Sequence, residues 1–177
     1  MANEVRTAVH NVLAYKTIDY LHQECHVGNA FYTVFRFSSM ATADTMNIAV
    51  IIGAHELHWH PNISATGPVH VNLFEDCVYG ATGTLIQSRN YNRCFNTSNN
   101  TLTYHSTVGS DGTAIWKSLI VGETAGGTGV NSRGSIGGEL GTQVELILKP
   151  KTNYMIQLIN ASFTQMQLNY HSYCYEE

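Results

Sequence analysis

The chain has 177 residues, 44% hydrophobic and 12% charged, with a formal net charge of −4. That size suits one domain with a substantial core, and a chain this apolar is not a disordered one. No window of the chain is strongly basic and no apolar run reaches the roughly 18 residues of a membrane span, so nucleic-acid and membrane partners are not expected.

A fold with so few charges must cover itself with neutral polar groups or bury surface against partners. The many Asn, Thr, Ser and Gln residues do the first, and assembly is expected to do some of the second. Residues 1–11 lack the basic-then-apolar order of a signal peptide, so synthesis in the cytosol is expected.

Residues 1–29 differ from the rest of the chain. Val5, Val9, Val12, Leu13 and Leu21 fall near a helical period, with irregular spacing and no clear cap. The segment predicts an N-terminal arm, partly helical or extended, ending at Gly28-Asn29. An arm with apolar residues packs on its own domain or on a neighbour.

Residues 30–177 predict a single β domain. Phe31, Thr33, Phe35 and Phe37 alternate with Tyr32, Val34 and Arg36, and Ile48–Ile52 is continuously apolar, as in a strand buried on both faces. Further strands are expected over Glu56–His60, Val69–Phe74, Thr84–Ser88, Leu102–Val108, Ile115–Val121, Val144–Leu148, Tyr154–Asn160 and Gln165–Tyr175, about ten in all. Asp111-Gly112 predicts a hairpin between two of them, and Pro150 a tight connection. Residues 122–141, rich in glycine, predict a long exposed contact loop, without the helix that a phosphate cradle needs. In the last run Met166, Leu168, Tyr170 and Cys174 face inward. Short strands with frequent turns predict an all-β sandwich of jelly-roll type.

His55-Glu56-Leu57-His58-Trp59-His60 is the best candidate for chemistry. It is not a zincin motif, because Trp59 stands where the second histidine would be and Pro61 stops any helix. On a strand His58 and His60 share a face, as in a cupin pair, with His70 available as a third ligand. The alternative is a structural or surface histidine cluster, and no metal or cofactor is expected. Cys25-His26 lacks the geometry of a nucleophile and base, and Asp44, Glu75, Asp76, Glu139 and Glu145 form no spaced acid pair. Cys25, Cys77, Cys94 and Cys174 contain no CxxC and predict four buried thiols. The sequons at Asn62, Asn96, Asn99 and Asn160 carry no expectation of glycosylation outside the secretory route. Arg89 and Arg93 predict a loop that clamps carboxylates or is simply solvated. Arg133 invites the same reading, with Glu139 or Glu145 as its partner.

Several short motifs recur in one order: Gly83-Thr84, Arg89-Asn90-Tyr91-Asn92-Arg93, Gly112-Thr113, Gly126-Gly127, Arg133-Gly134, residues 145–149, Thr152-Asn153-Tyr154 and Tyr173-Cys174-Tyr175-Glu176. With His22, His26-Val27-Gly28 and Phe31-Tyr32, this order resembles the head decoration, or cement, proteins of tailed bacteriophages. The resemblance implies a jelly-roll-like domain on the outer surface of a capsid. It implies a homotrimer that clamps the major capsid protein, made in the host cytoplasm and without enzymatic activity. The histidine content and the cysteines depart from that pattern, which leaves head and tail locations open. The expected contact residues are Val5, Val9, Val12, Leu13 and Tyr15 of the arm, with Arg89, Arg93 and Arg133. A receptor- or carbohydrate-binding jelly roll, using Tyr79, Tyr91 and Tyr104, is the second reading. A metal-dependent cupin enzyme is the third.

Overall fold

A computed structural model describes residues 20–95, 98–120, 134–136 and 145–176. A short helix, α1 (Tyr20–Val27), precedes β1 (Ala30–Met40), β2 (Thr45–Ile51), β3 (Leu57–Ala65) and β4 (Val69–Glu75). Short strands come next: β5 (Val78–Ala81), β6 (Thr84–Ile86), β7 (Arg89–Asn90), β8 (Thr101–Tyr104) and β9 (Thr107–Ser110). The framework resumes with β10 (Thr113–Ile120), β11 (Gly134–Ile136), β12 (Leu146–Leu148), β13 (Asn153–Asn160) and β14 (Met166–Glu176).

Helix α1 stops at the expected glycine. Gly28 adopts φ +86°, and its N–H and that of Asn29 both donate to the Glu24 carbonyl at 3.0 Å. Glycine takes this left-handed position without a Cβ penalty. Here a Cβ would also lie 2.3 Å from the Phe95 ring.

Two antiparallel sheets form the body. The first has the order β11-β3-β14-β1-β7, with β12 also on β3, and the second β10-β4-β13-β2-β8-β6. Framework strands switch sheets in turn: β1 and β3 lie in the first, β2 and β4 in the second. After β10 in the second sheet, β11 and β12 return to the first, β13 to the second and β14 to the first. This interleaving of two Greek keys is a jelly roll, so the fold expected from the strand pattern is the fold observed.

The core fills the space between the sheets. Phe31, Trp59, Ile63, Leu168 and Tyr170 meet Ile48, Val50, Val71, Leu73, Ile156 and Leu158 there. Each buried large apolar side chain contributes about 1.5–3 kcal/mol. The two polar aromatic groups satisfy each other: Trp59 Nε1 donates to Tyr170 Oη at 3.2 Å, and Tyr170 Oη donates to Ser172 Oγ at 3.0 Å. Tyr170→Phe strands the buried indole N–H. It is expected to cost about 1–2 kcal/mol, measured as a lower urea midpoint with an unchanged slope.

Residues 76–112 interrupt the framework between β4 and β10, and here sequence and structure differ most. Strand β7 extends the first sheet beside β1, while β8 and β6 extend the second beside β2. The insertion thus wraps the side where β1 and β2 meet, and Phe35 packs on Tyr104 across it at 4.5 Å. The expected strand Leu102–Val108 is broken at His105, which takes φ 56°, and its halves join different sheets. The expected hairpin at residues 109–112 does not form. Gly112 does take the positive φ, +75°, but β9 pairs with β5 and β10 with β4. Turn chemistry fixes a local bend and leaves the choice of neighbour to packing.

The β5–β9 ribbon lies on the outer face of the second sheet. Tyr79 donates to the Tyr154 carbonyl, and Asn153 Nδ2 to the Cys77 carbonyl at 3.2 Å. This cover explains why Ala49 and Met155 are buried on the face away from the core, as the apolar run at residues 48–52 predicts.

Two further expectations need correction. β3 does not end at Pro61 but runs through it to Ala65, with Pro61 opposite Ser172 of β14. On its other side, β12 pairs with residues 57–59 and β11 with residues 63–65, so Pro61 falls where the outer neighbour changes. The stretch 122–141 contains β11, a strand held by the free edge of β3; its other residues lie outside those described.

Candidate functional site

Alternation along β3 sends Leu57, Trp59 and Ile63 into the core and His58 and His60 to the outer face of the first sheet. There the register pairs His58 with Tyr175 and His60 with Tyr173. The rings stack in parallel, with centroids 4.4 Å and 4.2 Å apart and interplanar angles of 14°. Glu145, just before β12, closes the cluster. Its Oε1 accepts from His58 Nδ1 at 2.7 Å and from Tyr175 Oη at 2.5 Å, and lies 3.7 Å from His60 Nε2. His58 Nε2 is 3.6 Å from Glu56 Oε1.

This arrangement fastens β12 to β3 and β14. It does not assemble the cupin set, because His70 is on β4 in the other sheet and His58 and His60 face away from the sandwich interior. Among the described residues no group of three or more His, Cys, Asp or Glu is placed to hold a metal ion.

The hydrogen bonds from Tyr175 and then His58 hold the Glu145 carboxyl below the usual carboxylate range. A depressed folded-state value gives stability that is present above the unfolded value, about 4.3, and is lost as pH falls through the folded one. Wild-type protein is therefore expected to lose urea resistance below about pH 4 more steeply than Glu145→Gln. Equal slopes for the two proteins would remove Glu145 from the acid transition.

Arg89 and Arg93 are both exposed, and among the described residues neither forms an ion pair. Within the chain their segment has another task. Arg89 and Asn90 are strand β7, and the residues around them pin α1 to the body. Asn90 Nδ2 donates to the Gly28 carbonyl at 2.6 Å, the Tyr91 N–H to the Ala30 carbonyl at 3.0 Å, and Asn92 Nδ2 to the His26 carbonyl at 3.4 Å. Val5, Val9, Val12, Leu13, Tyr15 and Arg133 lie outside the described residues.

Of the aromatic residues considered for sugar binding, Tyr79 is committed to the Tyr154 carbonyl and Tyr104 packs on Phe35. Tyr91 is exposed and leans on Tyr32 at 5.0 Å. The thiols also divide. Cys77 and Cys174 are buried, but Cys25 is half-buried and Cys94 exposed, so four buried thiols are not what the fold holds. Burial first, then Asp111 and Asp76, push Cys77 up to about 11.

An exposed feature that sequence reasoning missed is at the opposite end of the sandwich. Asn160, the last residue of β13, is buried. Its Nδ2 donates to the carbonyls of Met40, Ala41 and Thr164 at 2.9, 2.8 and 3.0 Å. Its Oδ1 accepts from Ser162 N and Oγ at 2.8 and 2.6 Å. Backbone bonds from Ala43 N to the Asn160 carbonyl and from Ala161 N to the Pro68 carbonyl tie in the β1–β2 and β3–β4 turns. From this locked loop Phe163 projects with 95% of its surface exposed. The available signal was an aromatic residue set among Ser and Thr in a turn. The sequon at Asn160 is sealed by the same bonds.

No family model matches the chain, and no curated protein matches it. Among solved structures it is similar to a chain of infectious bursal disease virus, Gt strain, at 10% identity and TM-score 0.34, covering 84% of this chain and 33% of that one. A chain of the T13 particle of the same virus is similar at 9% identity and TM-score 0.20, covering 83% and 38%. The protein spans about a third of the length of these viral chains. The jelly-roll assignment rests on the strand order itself.

Proposed function

We propose that the chain is a structural virion protein, a decoration or cement protein that trimerises and binds the outer surface of a capsid shell to stabilise it. Its partners are its own copies and the major capsid protein, and no catalytic step is involved. The observation that carries this is Phe163, an exposed aromatic held on a loop already ordered by Asn160. A large side chain on a rigid loop gives up little entropy on docking, which is how interface anchors work. Three copies on one particle multiply a modest contact through effective concentration. The small charged fraction limits the desolvation cost of burying broad surfaces.

Light scattering on the purified protein is expected to give a trimer, and sedimentation with empty capsid shells is expected to carry it down. Phe163→Asp should weaken shell binding at least about tenfold while leaving the melting temperature unchanged, since the ring touches so little of its own chain. A monomer in solution, or shell binding that Phe163→Asp leaves intact, would overturn the proposal as stated. Deleting residues 1–19, which spares α1, tests the arm residues Val5, Val9, Val12, Leu13 and Tyr15 separately.

A further inference from the structure

Helix α1 carries His22 and His26 one turn apart, and both are exposed. Positions i and i+4 share a helix face, so the two imidazoles meet. Their ring centroids are 4.7 Å apart at an interplanar angle of 73°, and the two Nε2 atoms are 3.0 Å apart. At that distance a single proton lies between two nitrogens, donated by one and accepted by the other. Replacing that proton with a metal ion needs both lone pairs turned to one point. Two nitrogens bound at about 2.0–2.1 Å, with an angle between about 90° and 110° at the metal, are about 2.9–3.4 Å apart. The observed spacing falls in that range, so small rotations of the rings suffice and the helix need not move.

We propose that His22 and His26 form a two-imidazole binding site for a divalent transition-metal ion on the exposed face of α1. Imidazole pairs select copper(II), nickel(II) and zinc(II) over magnesium and calcium, which prefer oxygen. The backbone adds to the attraction. His26 is in the last turn, where the aligned peptide dipoles favour positive charge. The site is also held in place. The Gly28 stop, the Asn92 bond to the His26 carbonyl and the contact of Phe95 with Gly28 fix that end of the helix. An eight-residue helix is marginal by itself. An ion bridging one turn would clamp it, and its remaining positions face solvent, where a donor from a neighbouring chain can enter.

This site is independent of the histidines of β3 and of any capsid role, and its test does not need shells. Copper(II) is the probe, titrated into the full chain after chelator treatment and dialysis. Wild-type protein is expected to take up one more tight equivalent per chain than His22→Gln or His26→Gln. The copper spectrum should carry nitrogen couplings from two imidazoles, reduced in either variant. His60→Gln should leave this equivalent in place. Both α1 variants should melt with the metal-free wild type, because the exchanged rings are exposed. The melting temperature should rise with copper in wild type and less in the variants. Equal copper stoichiometry and affinity in wild type, His22→Gln and His26→Gln would overturn the site. So would a two-imidazole spectrum that survives in His26→Gln.

Discussion

Replacing Asn160 with alanine is expected to remove about 3–4 kcal/mol of folding stability, a large loss for a polar-to-small change. The side chain is 2% exposed, and every hydrogen-bonding position of its amide is used. Alanine leaves the carbonyls of Met40 and Ala41 without this donor in a site that holds no room for bulk water. The Ser162 hydroxyl, released from Asn160, can then give its one proton to the Thr164 carbonyl 2.5 Å away, which spares part of the loop. Asn160→Asp should cost at least as much, because a carboxylate cannot donate to the three carbonyls that the amide now serves. Urea unfolding of the three proteins at neutral pH measures this. A loss below about 1 kcal/mol for Asn160→Ala would mean that the turns order themselves without it. The same variant should blunt shell binding beyond its effect on stability, since Phe163 would dock from a loop no longer ordered in advance.

The second large effect is expected at the other end of the sandwich. Glu176 is buried at the end of β14, and its Oε1 accepts from Ser98 Oγ, Asn99 N and Asn100 Nδ2 at 2.5, 3.0 and 2.6 Å. Its Oε2 accepts from Asn99 Nδ2 at 3.2 Å. Asn100 in turn accepts from the Gly53 N–H at 2.9 Å, so one carboxylate gathers the insertion, the β2–β3 turn and β14. Glu176→Ala is expected to cost about 3 kcal/mol. Glu176→Gln keeps an oxygen for the three stronger bonds and forfeits only the fourth, so about 1 kcal/mol is expected. The contrast between the two variants, read from urea midpoints, separates lost geometry from lost charge. Equal losses would assign the role to the charge.

What could be foreseen in the sequence is the part governed by period and by single special residues. The alternation of Met166, Leu168 and Tyr170 placed one face of β14 in the core, and the unbroken run at residues 48–52 foretold cover on both sides of β2. Gly28 marked the end of the helix. The insertion was not foreseeable, because its strands are two to four residues long and pair with edges left open by β1 and β2 or with one another. Pro61 misled for a related reason: a proline breaks a helix anywhere but breaks a strand only where a ladder bond is needed. The candidate sites were foreseen less well. His58 and His60 do share a face, but their partners Glu145, Tyr173 and Tyr175 come from distant parts of the chain. Asn160 looked like a sequon, and Phe163 like one apolar residue in a polar turn.

The position of β14 has a consequence for how the protein is made. β1 and β3 lie on either side of it in the same sheet, so the two are not joined into that sheet until residues 166–176 slide between them. A nascent chain halted before that point would display two unpaired edges and an uncovered apolar layer, the features that recruit chaperones and seed aggregates. Most contacts join segments far apart along the polypeptide, which places folding in the slow, millisecond-to-second class. Until β14 takes its place, the folding polypeptide would thus stay adhesive.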